Sequence, residues 1–223
     1  MERQRYRIAV LGGTGAQGTG LALRLAAAGH AVTIGSRSAD KARAAAARMS
    51  ERLGGKAMAG ADNRGAAGAA EIVILAVPYQ AQRATVEEVR DQLVGKLLVD
   101  ATVPLVPPKV SVVQLPDGES AVAAVQRLLG DQVRVVAAFQ NVSAQHLGEL
   151  GHEVDCDVLV CGDDQSAREV VVGLCRDIGL RGIHAGPIRN SAAAEALTSV
   201  LIAINRRYKV AGSGIRITGL PKT

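Results

Sequence analysis

The residues with the clearest chemical potential lie in a glycine-rich stretch near the start of the chain. Gly13, Gly15 and Gly18 follow the apolar run at residues 8–11 and precede leucines at helical spacing. This spacing is a dinucleotide-binding fingerprint. It provides a turn free of side chains, a position where the backbone can approach a pyrophosphate, and a helix N-terminus that attracts anions. A turn with a purely structural role is the alternative. A P-loop is excluded because Thr19 follows Gly18 where that motif requires lysine.

The end of the second predicted strand favours NADP over NAD. NAD-binding proteins place Asp or Glu there, about 20 residues beyond the glycines, to bind the ribose hydroxyls. This chain has Ser36 and Arg37, with Lys41 one helical turn further on. These groups can bind a 2′-phosphate through charge-assisted hydrogen bonds, whereas a carboxylate would repel it. Asp40 is predicted to lie in the first turn of a helix, where its charge suits the dipole. A solvated loop residue is the alternative role for Arg37.

Side chains that could act as acid, base or nucleophile do not form a known catalytic pattern. Tyr79 is followed by Arg83 instead of the lysine of a Tyr-x-x-x-Lys motif, and no Gly-x-Ser-x-Gly elbow is present. His30 is predicted to be structural, and His146 and His152 could approach a substrate, although a lone histidine is more often structural. We therefore predict no catalytic side chain. Hydride transfer between two cofactors needs proximity and orientation more than an acid or base.

The three cysteines, Cys156, Cys161 and Cys175, indicate buried thiols and neither a disulfide framework nor a metal site. Glu119, Asp163 and Asp164 are predicted to cap helices or to lie in first helical turns. Acidic side chains are favourable there because of the helix dipole. We therefore expect no bound metal.

The composition indicates a globular protein with small anionic partners. The 223 residues are 48% hydrophobic and carry a formal net charge of +5. The basic residues are scattered, which favours phosphorylated cofactors over nucleic acid, and an aromatic fraction of 2% argues against base-stacking modules. No apolar stretch is long enough to span a membrane, and no apolar signal segment precedes the first strand. We expect a cytoplasmic protein with no nucleic-acid or membrane partner.

The elements that must position these residues alternate between strands and helices. Strands are predicted at residues 8–11, 31–35, 56–60, 71–77, 96–100, 134–138, 156–161 and 182–184. One helix is predicted to follow the glycines and to end at residue 29, and a second, rich in Ala and Arg, to end near residue 53. Further helices are predicted over residues 66–70, 80–93, 119–129, 165–178 and 191–209. This alternation predicts an α/β fold with a Rossmann-type, doubly wound parallel sheet.

Two further segments allow two interpretations each. Residues 102–118 contain four prolines and leave the end of a strand where open α/β sheets bind ligands, so they form either a functional loop or an ordinary surface loop. In the last helix Leu197, Val200, Leu201 and Ile204 form an apolar stripe, which indicates core packing or a dimer interface. The cations that follow can stabilise the helix dipole, or bind a phosphate of a ligand; they are Arg206, Arg207 and Lys209.

The sequence resembles the NADPH-dependent reductases of coenzyme F420, a 5-deazaflavin, across nearly the whole chain. The resemblance rests on residues 11–25, 35–37 with Lys41, 77–78, 160–164, 185–187 with 190–191, and 195–198. The last three groups lie outside the general Rossmann pattern. This resemblance implies an NADP-binding Rossmann domain over residues 1–145 and a small C-terminal α/β or helical domain over residues 146–223. It also implies a cleft between them and a homodimer.

The resemblance further implies that nicotinamide and deazaflavin stack in this cleft for direct hydride transfer. Thr14, Gly15, Ala16, Gln17, Ser36, Arg37 and Lys41 would hold the NADP phosphates, with Gly13 and Gly18 shaping the turn. Val77, Pro78 and Tyr79 would border the nicotinamide ribose, and Phe139, Gln140, Asn141 and Val142 the deazaflavin. Gln140 and Ser143 stand where archaeal relatives tend to have histidine and proline, and Tyr79 where a tryptophan is expected. The alternatives are an NADP-dependent reductase of a small imine or ketone, and a non-catalytic NADP sensor.

Overall fold

The computed structural model describes residues 4–116 and 119–220, whose strands form one eight-stranded sheet. The strands are β1 (Arg7–Leu11), β2 (Ala31–Ser36), β3 (Ala59–Asp62), β4 (Ile72–Leu75), β5 (Leu97–Asp100), β6 (Arg134–Ala137), β7 (Asp157–Gly162) and β8 (Arg181–His184). Their order is β3-β2-β1-β4-β5-β6-β7-β8. All neighbours are parallel except β6 and β7, which are antiparallel. The first six strands have the doubly wound dinucleotide-binding order, so the predicted fold class is confirmed.

Nine α-helices cover the described part of this sheet. They are α1 (Ala16–Ala27), α2 (Ala39–Arg52), α3 (Asn63–Ala69), α4 (Tyr79–Glu88), α5 (Arg90–Leu93), α6 (Ala121–Leu129), α7 (Ala144–Gly148), α8 (Gln165–Asp177) and α9 (Ser191–Tyr208). Hydroxyl and carboxylate side chains cap four of them, where Ser38, Asp62, Ser120 and Asp164 accept a hydrogen bond from a backbone N–H of the first turn. These caps satisfy N–H groups that have no partner within the helix.

The inner strands of the sheet are buried on both faces. Along β1, Ile8 and Val10 belong to the core shared with α1, α2 and α8, whereas Ala9 and Leu11 belong to the core shared with α3, α4 and α6. This division follows from the alternation of side chains along a strand. It explains the continuous apolar runs of the sequence, and it leaves the carboxyl ends of the parallel strands free to form a site.

Several predicted boundaries are wrong for local reasons. The third strand begins at Ala59 and not at residue 56, after a turn in which Gly54 and Gly55 both have positive φ. The helix predicted over residues 80–93 is interrupted at Val89, and α7 was not predicted. Strand β7 is antiparallel to β6 because α7 and the loop after it return the chain to the other end of the sheet.

Two predicted helix caps are also wrong, while the third is confirmed. Ser120, and not Glu119, caps α6, and Glu119 instead forms an ion pair with Arg127. The Asp163 carboxylate accepts the N–H of Ile188 at 3.0 Å, and so holds the turn before α9. Asp164 caps α8 as predicted.

The predicted domain boundary at residue 145 falls within α7. Residues beyond it join the same sheet, because Val136 and Ala137 of β6 pair with Gly162 and Cys161 of β7. The division into a domain at 1–145 and a domain at 146–223 stays a prediction. Cys156, Cys161 and Cys175 are free and buried, as expected from the sequence, and burial raises the pKa of each thiol.

Candidate active site

Most glycines of the loop between β1 and α1 are tightly packed against neighbouring atoms. Gly12 has a φ of +77°, and a Cβ there would lie 2.4 Å from the Ala76 carbonyl oxygen. A Cβ on Gly18 would lie 2.5 Å from the Gly12 oxygen, so only glycine lets α1 approach the loop. At Gly15 a Cβ would meet nothing closer than the Gly12 oxygen, at 3.4 Å. Gly15 is therefore the position where the loop is open for a ligand to approach.

The N-terminus of α1 offers unpaired backbone donors beside this opening. Gly15 is the N-cap and has no side chain to accept a first-turn N–H. The N–H groups of Ala16, Gln17 and Gly18 have no acceptor one turn earlier in the helix. A helix N-terminus of this kind binds phosphate through backbone donors and the helix dipole. Thr14 is exposed at the same edge.

Three side chains, one hydroxyl and two cations, lie at or just after the end of β2, where the 2′-phosphate of NADP is predicted to bind. Ser36 is half-buried, and Arg37 and Lys41 are exposed. Asp40 forms an ion pair with Arg43 in the first turn of α2, as its predicted position implies. The Ser36 hydroxyl accepts the N–H of Ser38 at 3.4 Å, and within the described chain neither Arg37 nor Lys41 forms an ion pair. A hydroxyl, a guanidinium and an ammonium suit a phosphate.

A cleft of about 630 Å³ extends from the α1 N-terminus across the carboxyl ends of β4 and β5. Of the predicted site residues it is lined by Gly15, Ala16, Gln17, Val77, Pro78, Tyr79, Gln140, Asn141 and Val142. Gly13, Thr14, Gly18, Ser36, Arg37 and Lys41 lie outside its lining, in the turn and at the end of β2. The structure thus places most of the predicted cofactor residues around one continuous cavity.

Side-chain amides link the walls of the cleft. Gln17 Nε2 donates to the Phe139 carbonyl oxygen at 2.8 Å, and Gln140 Nε2 donates to the Asp100 carbonyl oxygen at 2.7 Å. Asn141 Nδ2 donates to the Asp157 carbonyl oxygen at 2.6 Å. The Phe139 ring is fully buried in the core and does not line the cleft, and its φ of 73° is unusual for a bulky residue. These bonds fix the segment at residues 139–142 against α1 and β5.

The loop after β5 and helix α9 supply lining residues that the sequence did not identify individually. From the loop, the cleft is lined by Val103, Leu105, Pro107 and Val110. From α9 and the segment after it, Thr198, Leu201, Ile202, Asn205 and Ser213 line it. The position of residues 102–116 beside the cleft therefore favours a functional loop over an ordinary surface loop. Residues 117 and 118 of the predicted loop lie outside the described chain. In α9 the sequence signal for a shared face was the helical spacing of the lining residues at positions 198, 201, 202 and 205.

Glu195 fixes the start of α9 against the N-terminus of α6. Its two carboxylate oxygens accept the N–H groups of Ala121 at 2.8 Å and Val122 at 3.1 Å. Ser191 Oγ also lies 2.6 Å from Ser120 Oγ. Burial raises the pKa of Glu195 to about 7. This carboxyl group therefore positions the helix that lines the cleft and does not itself line it.

Titratable groups are scarce in the cleft. Among the described lining residues, Tyr79 is the one titratable side chain. Asp100 lies behind the wall, fully buried, where burial raises its pKa and Gln82 Nε2 donates to it at 2.7 Å. His146 and His152 face a separate cavity of about 160 Å³, with their ring centroids 4.4 Å apart. No group of three or more metal-ligating side chains occurs within residues 4–116 and 119–220.

Arg24 of α1 holds the segment that follows the cleft wall. Its side chain is 7% exposed and donates hydrogen bonds only to backbone carbonyl groups. The acceptors are the carbonyl oxygens of His146, Leu147, Glu149, His152 and Ile178. A Cβ on Gly20 would lie 2.7 Å from Leu147 Cβ, so α7 packs directly on the fingerprint helix. The two walls of the cleft are therefore joined through α1.

His30 has the structural role expected from the sequence. It accepts the N–H of Tyr6 at 3.2 Å through Nδ1, and its Nε2 lies 3.3 Å from Asp177. The Tyr6 and His30 rings are stacked with centroids 5.9 Å apart.

No described helix combines the length and apolarity needed to cross a membrane.

Comparison with known proteins identifies relatives along the whole chain. Residues 7–104 match the family model described as NADP oxidoreductase, coenzyme F420-dependent. The F420-dependent NADP reductase of Methanothermobacter thermautotrophicus is 45% identical over 223 residues, covering 97% of this chain and 96% of the relative. The corresponding reductase of Methanothermobacter marburgensis is 44% identical, covering 97% of this chain and 100% of the relative. A crystal structure of a candidate F420-dependent NADP reductase from Arthrobacter sp. FB24 is similar with a TM-score of 0.79 and 29% identity, covering 96% of this chain and 99% of that chain.

Proposed function

The chain belongs to the family of coenzyme F420-dependent NADP oxidoreductases, and on this premise we propose that it transfers a hydride between NADP(H) and F420 in the cleft lined by α1 and α9. The observation that carries the proposal is one cavity that joins a dinucleotide-binding helix N-terminus to a largely apolar chamber. The open position at Gly15 and the unpaired first-turn N–H groups fit a pyrophosphate. Both partners of the reaction are then small-molecule cofactors.

The residues divide into four groups according to the part of the cofactors that they would hold. Backbone donors of α1 would bind the NADP pyrophosphate, and Ser36, Arg37 and Lys41 the 2′-phosphate. Residues 77–79 would border the nicotinamide ribose. Residues 140–142 would border the deazaflavin from the opposite wall. The support for this assignment is that the last two groups line the same cavity.

The two cofactors, when bound, supply the hydride donor and acceptor carbons, the nicotinamide C4 and the deazaflavin C5. The protein then has to orient two flat rings and exclude water, because the transfer itself moves no proton to or from a side chain. Val77, Leu105, Val110 and Leu201 provide apolar walls for this purpose. The hydrogen bond that Gln17 Nε2 donates to the Phe139 carbonyl oxygen fixes the distance between α1 and the segment that would border the deazaflavin.

Isotope transfer tests the direct mechanism. NADPH carrying deuterium at the transferred C4 position should yield reduced F420 with one deuterium, measured by mass spectrometry. The same reaction with unlabelled NADPH in D₂O should give no deuterium at that carbon. Label from the solvent would contradict direct transfer between stacked cofactors.

Reduction of a small imine or ketone is the second candidate function, and it would need a proton donor in the cleft. Tyr79 is the side chain that could serve among the described lining residues. On our proposal, Tyr79→Phe leaves the rate of F420 reduction within about threefold of wild type, a change below 1 kcal/mol in the barrier. Loss of turnover by orders of magnitude in this variant would favour the second candidate.

We also propose that the protein acts in the cytoplasm as a homodimer. The support for the dimer is an exposed apolar stripe on α9, where Val200 is 45% and Tyr208 71% exposed. Ile204 lies between them at one-turn spacing. Light scattering on the purified protein measures the mass directly. Val200→Glu should shift a dimer to the monomer mass, and a wild-type monomer would contradict this part of the proposal.

A further inference from the structure

Helix α9 runs along the cleft and leaves it at a polar end. Thr198, whose hydroxyl donates to the Gln140 carbonyl oxygen at 2.8 Å, and Asn205 both line the cavity. The helical rise separates these two residues by about 10 Å along the axis. The side chains before Asn205 on this face are apolar, namely Leu201 and Ile202. After Thr198, the next polar side chain of α9 that lines the cavity is therefore Asn205, near the end of the helix.

The amide of Asn205 is oriented by its neighbour. Asn205 Oδ1 accepts the N–H of Ser213 at 2.7 Å, and both residues line the cleft. This bond assigns the oxygen and leaves the Nδ2 hydrogens without an acceptor among residues 4–116 and 119–220. A half-buried amide with two unused donors at a cavity rim is suited to an anionic oxygen.

Two cations, Arg206 and Lys209, follow this amide at the end of α9. Arg206 is exposed, and its Nη1 donates to the neutral Ser111 hydroxyl of the loop at 3.0 Å. Lys209 ends the helix with a φ of 54°, and the N–H of Val210 closes the turn onto the Asn205 carbonyl oxygen at 3.2 Å. In the described chain neither cation forms an ion pair. The helix dipole accounts for cations here, but it does not account for the oriented amide.

We propose that Asn205, Arg206 and Lys209 form an anion subsite at the rim of the cleft that binds the phosphate and carboxylate groups on the side chain of the deazaflavin. This inference rests on the proposed function. The apolar chamber would hold the ring system, and the subsite would hold the charged chain that leaves it. Charge-assisted hydrogen bonds from an amide, a guanidinium and an ammonium match these oxygens.

Equilibrium binding with two deazaflavins tests the subsite. The probes are F420 and the deazaflavin riboside that lacks the phosphate and carboxylates, each titrated calorimetrically into the full chain. Arg206→Glu should raise the Kd for F420 by about tenfold or more and leave the Kd for the riboside unchanged. The preference of wild type for F420 should also weaken as salt concentration rises.

The matched control is Arg207→Glu, which makes the same charge change in the same helical turn. Residue 207 is about 200° around the helix from Asn205 and therefore lies on the opposite face. The Arg207→Glu variant should therefore bind F420 and the riboside with dissociation constants close to those of the wild-type protein. Equal losses for F420 in both variants, equal losses for both deazaflavins in Arg206→Glu, or no loss at all would overturn the subsite. Wild-type protein that binds neither deazaflavin would overturn the proposed function, and the subsite with it.

Discussion

Gln17 Nε2 lies 2.8 Å from the carbonyl oxygen of Phe139, and this bond joins the first turn of the NADP helix to the opposite wall of the cleft. Phe139 accepts it in a conformation with a φ of 73°, in a fully buried position. Residues held in such conformations cost free energy and persist only where their surroundings fix them. On our proposal, the bond couples pyrophosphate binding at α1 to the shape of the segment that borders the deazaflavin.

Gly15→Val should abolish tight NADPH binding without unfolding the chain. The added side chain would enter the opening of the loop, where its Cβ meets only the Gly12 oxygen at 3.4 Å. We expect the Kd for NADPH to rise by about 100-fold, since backbone contact with the pyrophosphate is blocked. Fluorescence titration measures this change, and circular dichroism checks the fold. Gly68→Val is the control, because its Cβ would come no closer than 3.8 Å to Gln92. Undiminished NADPH affinity in folded Gly15→Val would refute the fingerprint assignment.

Arg37→Ala should weaken the binding of NADPH far more than the binding of NADH. The guanidinium follows the end of β2, and the carboxylate of nearby Asp40 is paired with Arg43. Loss of a charged hydrogen bond to a phosphate costs about 2 kcal/mol, which raises the Kd for NADPH about 30-fold. Arg48→Ala, on an exposed position of α2, serves as the control for a lost positive charge. If NADPH and NADH lose affinity equally, the phosphate assignment is wrong.

Arg24→Met should destabilise the fold. The substitution leaves five backbone carbonyl groups without their shared donor in a buried site. We expect the free energy of unfolding to fall by about 3 kcal/mol, measured by urea denaturation. Arg24→Lys should not restore it, because an ammonium has fewer donors and no planar fork. Arg52→Met, which removes one exposed hydrogen bond to Gly148, should cost less than about 1 kcal/mol. Similar losses in the Arg24 and Arg52 variants would contradict the role of Arg24.

Glu195 should make stability depend on pH. Its pKa is about 7 in the fold and 4.5 ordinarily, so the folded chain binds this proton more tightly. Its contribution to the free energy of unfolding is complete below about pH 4.5 and is lost as the pH rises through about 7. Between these limits wild type should lose up to about 3 kcal/mol relative to Glu195→Gln, which cannot ionise. Urea denaturation of both proteins at several pH values measures the difference. Parallel pH curves would show that Glu195 does not titrate in this range.

The sequence predicts those parts of the site whose geometry is local. The spacing of Gly13, Gly15 and Gly18 after a buried strand fixes a turn and a helix N-terminus within a few residues, and the structure has both. Position 12 also requires glycine for a local reason, its positive φ, but the fingerprint spacing does not include this position. The absence of a carboxylate after β2 is likewise visible directly in the sequence.

The parts that the sequence did not predict depend on contacts between distant segments. His146 and His152 look isolated along the chain, yet α7 and the turn after it bring their rings together. Phe139 lies in a segment assigned to the cleft, but core packing turns its ring inward and leaves its carbonyl group to Gln17. Within residues 4–116 and 119–220 Arg24 pairs with no carboxylate, so no charge pattern in the sequence could indicate its five carbonyl acceptors.

The most direct test of the proposed function is a stopped-flow experiment that mixes the purified protein and NADPH with oxidised F420. Our account predicts rapid bleaching of the deazaflavin absorbance with NADPH and little bleaching with NADH at the same concentration. Firm NADPH binding without any bleaching would contradict it. The NADP assignment would then stand, and a small-molecule reductase or an NADP sensor would replace the deazaflavin reaction.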